Sequence, residues 1–157
     1  MLIEIKSING EVLFSHDVNG NSIKITVELA VKSGADLRYA DLRDADLSDA
    51  NLRYANLSDA NLRNADLRYA DLRDANLRYV DLRNADLRDA NLRYANLSDA
   101  GLFNADLRYA NLRYANLSGA GLFNANLSDA DLRYANLSDA DLSHATYHGY
   151  KLTKEGN

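Results

Sequence analysis

The side chains able to do chemistry in this 157-residue chain are aspartate, arginine, tyrosine and three histidines; cysteine is absent. Without cysteine there is no disulfide, no thiolate metal ligand and no thiol nucleophile. His144 and His148 stand four residues apart, but the segment is not helical and no Cys or Glu lies nearby, so no zinc site is expected. The third histidine, His16, lies far from both in sequence. Aspartates recur throughout, always in much the same local sequence. General acid–base catalysis needs one environment that drives two pKa values apart, and a repeated surface offers many alike. The expectation is therefore a protein that is not an enzyme and takes no cofactor or metal. Ice binding would call for ladders of Thr, and only Thr26, Thr146 and Thr153 occur. What remains is recognition chemistry, carried by Arg, Tyr and Asp at regular intervals.

Those intervals come from a repeat. Leucine occupies every fifth position from Leu37 to Leu142, 22 times without a miss. Alanine precedes each of them by two, Val80 being the exception. The residue between is Asp or Asn except at Gly101 and Gly121. A period of five suits neither regular element. On an α-helix each step of five turns about 500°, which scatters the leucines over every face. In a flat strand an odd period sends successive leucines to opposite faces. All the leucines share one interior only if the chain turns a corner once per repeat, as in a solenoid. Leu and the Ala two before it then point inward, and the other three residues face solvent. With no Pro and only 8 Gly, Asp and Asn are expected to make many of the corners, because they tolerate the left-handed region.

The solvent positions count the corners per coil. Within the repeats, Asn two residues after Leu occurs at Asn64, Asn84, Asn104 and Asn124, spaced by 20, and Gly101-Leu102-Phe103-Asn104-Ala105 recurs unchanged at 121–125. Four pentapeptides per coil, about six coils in all, is the expected architecture. These residues resemble the pentapeptide-repeat family over 35–144, and more loosely to 154. The resemblance implies an all-β solenoid, a right-handed quadrilateral β-helix. It also implies that the partners of such a protein include type II topoisomerase (gyrase), bound by imitating DNA, and that dimers form through the C-terminal coils. The repetition is so regular that a natural chain and an engineered consensus would read alike.

Residues 1–34 are expected to form an N-terminal cap. Leu2–Ser7 and Val12–His16 read as strands joined across Asn9-Gly10, a two-residue hairpin signal. A helix follows, with Ser22 as N-cap, Gly34 just past its end, and Ile23, Thr26, Val27, Ala30 and Val31 on one face. A third strand competes, since Ile23, Ile25, Val27 and Leu29 also alternate with polar residues. The repeats are taken as 35–154 and the tail as 155–157.

Sorting the repeats into four columns, named by their first leucines (37, 42, 47 and 52), sorts the charge. The Leu47 column carries Asp46, Asp49, Asp66, Asp86, Asp89, Asp106 and Asp129 against Arg68, Arg88 and Arg108, net −4. The Leu52 column carries Arg53, Arg73, Arg93, Arg113 and Arg133 against Asp71, Asp74 and Asp131, net +2, with Tyr54, Tyr94, Tyr114 and Tyr134 beside the arginines. At about 4.8 Å per coil, the acidic column has about one net charge per 6 Å, against one per about 1.7 Å in duplex DNA. The Arg/Tyr column reads either as a recognition strip or as a solvated ladder of stacked rings and Arg–Asp pairs. Phe103 and Phe123 are expected to stack on each other, and the Asn column to form a side-chain ladder.

The first expectation for function is a non-enzymatic structural or protein-interaction scaffold. A topoisomerase-directed DNA mimic comes second. Weak single-stranded nucleic-acid binding through the Arg/Tyr face comes third, so nucleic acid is an unlikely partner. Tyr147, Tyr150 and Leu152 replace the regular pattern at the C-terminal end, and the expectation there is a second copy of the chain docking on that coil, the competing reading being a last half-coil at Tyr150 and Leu152 closed by the polar tail Thr153–Asn157. No apolar run approaches a membrane span and the N-terminus lacks a signal-peptide pattern, so a cytoplasmic protein is expected and no membrane partner.

Overall fold

The structure, a computed structural model, describes residues 1–148. Every regular bridge between repeats joins a residue to its counterpart 20 later, from Asp41 with Asn61 to Asn126 with Thr146, always parallel. A coil is therefore 20 residues, and the repeats form a β-helical solenoid.

The backbone hydrogen bonds of one unit explain why the period is five. In 61–65, the Asn61 N–H bonds Ala40 O at 2.9 Å on the coil before. Leu62 N–H and Asn64 N–H bond Asp81 O and Arg83 O on the coil after, at 2.8 and 3.0 Å. Ala65 N–H closes a tight turn onto Leu62 O at 3.1 Å. That leaves Arg63 N–H, which the side chain of Asn61 accepts at 3.2 Å. All five donors are satisfied, which a chain with this much buried backbone requires. The last bond is an Asx-turn, and it is the reason Asp or Asn precedes each leucine. Gly101 and Gly121 have no such acceptor to offer Phe103 and Phe123.

The turn places the residue two after each leucine in the left-handed region, with φ near 60° at 21 non-glycine residues from Tyr39 to His144, and at Gly119. The expectation that Asp and Asn turn the corners holds at Asp44, Asp49 and Asn64 and at nine others, but eight of these positions are tyrosine. Leu from 37 to 127 is buried to 2% exposure or less. Val80, the one oversized residue among the alanines, is fully buried as well. In the last coil Leu137 and Leu142 are only half-buried.

Strands β1 (Leu2–Lys6) and β2 (Val12–Asp17) pair antiparallel, with a bulge between Ile5 and Lys6. Asn9-Gly10 lies in the connection, as expected, with Gly10 at φ 89°. Lys6 pairs with Val12, Ser7 N–H donates to Glu11 O at 2.7 Å, and Gly10 N–H closes the turn onto Ser7 O at 2.9 Å; Ser7 also bridges to Ala40, and its Oγ accepts the Asn9 and Glu11 N–H groups at 3.2 Å each. Helix α1 (Ile23–Ser33) is a helix and not a third strand. Ser22 Oγ accepts Ile25 N–H at 3.2 Å, and Gly34 ends the helix at φ 73°. Thr26, Val27 and Ala30 are buried beneath it, Val27 and Ala30 in one cluster with Ile5 and Leu37. Two side chains tie α1 to the first coil: Lys24 donates to Ser48 O at 2.8 Å, and Glu28 accepts Asn51 N–H at 2.8 Å. No helix among the described residues is long and apolar enough to cross a membrane.

Candidate interaction faces

Thirteen arginines line the repeats, each directly after a leucine, and the residue before that leucine decides what each one does. Where it is Asp, the carboxylate is close enough to take Nε and Nη2 together. Arg73 Nε donates to Asp71 Oδ1 at 2.8 Å while Nη2 bonds Oδ2, and Arg38, Arg43, Arg68, Arg83, Arg88, Arg108 and Arg133 repeat this clamp. Where it is Asn, one oxygen already serves the backbone and the amide group is itself a donor, so no clamp forms. Arg53, Arg78, Arg93 and Arg113 instead lie over the tyrosine that follows them, 4.5 to 5.6 Å from the ring centre. Arg63 has Asn64 there and no ring. The Nε atoms of Arg53, Arg63, Arg93 and Arg113 are buried without a hydrogen-bond partner.

This rule dissolves much of the acidic Leu47 column. Asp66, Asp86 and Asp106 are clamped by Arg68, Arg88 and Arg108. The clamps also interlock between coils, with Arg68 Nε 3.7 Å from Asp86 and Arg88 Nε 3.7 Å from Asp106. The guanidiniums of Arg68 and Arg108 hold the Asp66 and Asp106 carboxyls below the usual carboxylate range. Asp46 accepts from Ser48 Oγ and its N–H, which lowers its carboxyl too. Asp49, Asp89 and Asp129 form no ion pair among the described residues and stand two coils apart, alternating with exposed Tyr69 and Tyr109. The expected acidic face is thus four carboxylates without an ion pair among the described residues, Asp46, Asp49, Asp89 and Asp129, beside a neutral ladder of ion pairs.

The Leu52 column keeps its cationic character. Arg73 and Arg133 are clamped, but among the described residues Arg53, Arg93 and Arg113 hydrogen-bond to no carboxylate; Arg113 Nε forms a looser ion pair with Asp131 at 3.9 Å. Arg53 and Arg93 direct Nη2 to the hydroxyls of Tyr54 and Tyr94 at 3.0 and 2.9 Å. Tyr94, Tyr114 and Tyr134 stack with centroids 5.0 and 4.9 Å apart and planes within 14°. Tyr54 stands outside that stack because Asp74 occupies the coil between. The ladder reading of this column holds in part: three of its rings stack, and two of the five arginines are clamped by Asp.

Two further ladders complete the surface. Asn64, Asn84, Asn104 and Asn124 donate to Asp44, Asn64, Asn84 and Asn104 respectively at 2.9 to 3.1 Å, the side-chain ladder expected. Phe103 and Phe123 are tilted at 42° with centroids 6.4 Å apart, so they do not stack in parallel. The cause is Gly121: the Phe103 ring lies across it, 2.9 Å from where a Cβ would be. His144 meets Phe123 edge-on at 5.2 Å. Of the expected C-terminal surface, Tyr147 is exposed, and Tyr150 and Leu152 lie outside the described residues. The clamp rule went unnoticed at the level of sequence, although it is spelled there as Asp-Leu-Arg against Asn-Leu-Arg.

No curated protein matches the chain. Among solved structures, the pentapeptide repeat protein alr5209 from Nostoc PCC 7120 is 35% identical, with a TM-score of 0.55 over 79% of this chain and 94% of that one. Rfr23, from the cyanobacterium Cyanothece 51142, is 32% identical over 68% of this chain and 66% of its own, with a TM-score of 0.42. QnrB1, a plasmid-mediated fluoroquinolone resistance protein, is 24% identical over 70% of this chain and 80% of its own, with a TM-score of 0.30. The profile of the pentapeptide repeats matches in 8 copies across 33–68, 70–108, 100–133 and 110–146. With 20-residue coils built on A-[D/N]-L-x-x units and this match over most of its length, the chain belongs to the pentapeptide-repeat family.

Proposed function

We propose that this protein is a non-enzymatic, right-handed four-sided scaffold that binds other proteins through its Arg/Tyr side. One observation carries the reading: among the described residues, Arg53, Arg93 and Arg113 are the arginines of that side with no carboxylate hydrogen-bonded to them, and each is laid along a tyrosine. Arg and Tyr are the residue types that dominate binding energy at interfaces.

The rival reading is a DNA mimic acting on type II topoisomerase. Four carboxylates without an ion pair among the described residues put about one charge per 6 Å along the axis, some threefold to fourfold sparser than duplex DNA. Supercoiling by a purified type II topoisomerase decides between the two. It is expected to be unaffected at low-micromolar protein, and inhibition there would replace the scaffold by the mimic.

A second copy of the chain is the proposed occupant of the C-terminal coil, where Leu137 and Leu142 are half-buried and Tyr147 is exposed. Light scattering at tens of micromolar should return a dimer mass that Tyr147→Asp reduces. A monomer mass would sink this part, and a dimer indifferent to Tyr147→Asp would move the contact elsewhere.

A further inference from the structure

The Leu52 column carries more than a general affinity for proteins, because its arginines without a clamp have a definite spacing. Arg53, Arg93 and Arg113 sit on the first, third and fourth of five successive coils. Stacked tyrosines on the same column measure the coil rise directly, at 5.0 and 4.9 Å. The three guanidiniums therefore present themselves at 0, about 10 and about 15 Å along the axis. Arg73 and Arg133, at the intervening and final coils, are already neutralised by Asp71 and Asp131.

Three backbone geometries could bring carboxylates to those heights. In an extended strand, side chains on one face recur at about 6.7 and 13.4 Å, which misses both intervals. In polyproline II, residues three apart match the first interval at about 9.3 Å, but the residue near 15 Å points away from the same face. In an α-helix, residues i, i+7 and i+10 lie at 0, about 10.5 and about 15 Å. They also fall within about 80° around the axis, inside one helical stripe.

Bases of a single strand are disfavoured on separate grounds. Tyr94, Tyr114 and Tyr134 spend their inner faces on each other at about 5 Å, which leaves no slot for a base between them. The stack turns ring edges and hydroxyls outward instead, which suits aliphatic side chains lying beside a row of carboxylates.

We propose that the Arg/Tyr side is a docking strip for an acidic α-helix of a partner protein, laid along the coil axis with Glu or Asp at i, i+7 and i+10. Arg53, Arg93 and Arg113 receive the three carboxylates, and the stacked tyrosines pack against the flanking aliphatic residues. The proposal rests on the scaffold reading above, and the two fail separately. Loss of helix binding with supercoiling unaffected removes the helix alone, whereas inhibition of supercoiling removes the scaffold.

The probes are fluorescein-labelled, alanine-based helical peptides of 18 residues, titrated with the full chain and read by fluorescence anisotropy in low salt. One carries Glu at positions 4, 11 and 14; the second has the same composition with Glu at 4, 10 and 16, about 120° apart around the helix; the third probe is a labelled dT20 oligonucleotide. The first peptide is expected to bind at least tenfold more tightly than the second. Equal affinity for both peptides would show that only bulk charge is read, and tighter binding of the oligonucleotide would assign the strip to nucleic acid; either overturns the proposal. Arg53→Gln with Arg93→Gln and Arg113→Gln should abolish the preference between the two peptides. Asn91→Asp keeps every arginine but creates the sequence that clamps Arg93, and should reduce the preference severalfold. Circular dichroism of each variant at the same concentration shows that the coil is still folded. A preference retained in the folded triple variant overturns the assignment of these arginines.

Discussion

Tyr69 holds a backbone conformation that tyrosine seldom adopts, and replacing it tests how the corners are made. Its φ is 59°, and its side chain is 60% exposed. Its N–H bonds Arg88 O at 3.0 Å, so the backbone cannot relax without losing a bond between coils. For an L residue the left-handed region costs about 1–2 kcal/mol, least for Asn and Asp and most for β-branched residues. Little of the ring is buried, so its loss should cost less than about 1 kcal/mol. Tyr69→Asn should therefore be neutral or stabilise by up to about 1 kcal/mol. Tyr69→Gly removes the strain but loosens the unfolded chain by about 0.5–1 kcal/mol, and should land near the parent. Tyr69→Val should lose about 1–2 kcal/mol. Urea unfolding followed by far-UV circular dichroism ranks the three, provided the slopes agree. Equal midpoints for Tyr69→Val and Tyr69→Asn would refute the argument, because the corner would then not be held left-handed. Gly119 supplies the counter-case. It has the same conformation at φ 68°, but a Cβ there would come within 2.5 Å of Asp99 Oδ1. Gly119→Asn should thus fail to stabilise where Tyr69→Asn does not.

Three other outcomes follow from the same geometry. Leu92→Asp should abolish cooperative unfolding, because the leucine is fully buried and a lone carboxylate there has no partner; Arg93→Ser, one residue on, should change stability by less than about 1 kcal/mol, and similar losses from both would undo the assignment of inside and outside. Gly121→Ala should destabilise, since the new Cβ meets the Phe103 ring at 2.9 Å, whereas Gly101→Ala, whose Cβ finds nothing nearer than 3.9 Å, should be tolerated; reversed midpoints would show that the ring lies elsewhere. Clamped aspartates make the stack acid-sensitive. The guanidiniums beside Asp66, Asp71, Asp106 and Asp131 lower their folded pKa, so their contribution is complete above the unfolded value of about 4 and fades as pH falls through the folded one. The urea midpoint should hold from neutrality to about pH 5 and drop below about pH 4, and a flat profile down to pH 3 would mean that the clamps contribute nothing.

Much of this molecule was legible because its sequence obeys one constraint many times over. Leucine at every fifth residue excludes a straight helix and a flat strand at once, and the recurrence of Asn64 at 84, 104 and 124 counts the corners. The helix at Ile23–Ser33 was readable from its ends, Ser22 and Gly34, more surely than from its apolar pattern, which suited a strand as well. The hairpin was legible from Asn9-Gly10, whereas the bridge from Ser7 to Ala40, a partner 33 residues away, is one that no local turn rule sees. Tyrosine at eight corners was unexpected for a related reason: repeated ladder bonds override the local cost of the left-handed conformation.

The faces were harder to read than the fold because formal charge does not say which charges are spent. Counting gave the Leu47 column net −4 and the Leu52 column net +2, as though each were a diffuse field. Geometry divides the arginines by a single atom, the second carboxylate oxygen that Asp has and Asn lacks. Asp71 and Asn91 occupy equivalent places one coil apart, yet Arg73 is held in a two-pronged ion pair while Arg93 lies across Tyr94 with its Nε unpartnered. An exposed ion pair of this kind adds little to stability, so the consequence of choosing Asp over Asn falls mainly on what the surface can offer another molecule. Exchanging the two at one position moves one guanidinium between those states while leaving the buried leucines, the Asx-turn and the coil-to-coil ladder intact. On this solenoid, that exchange lets one residue type in the sequence decide which guanidiniums a partner can reach.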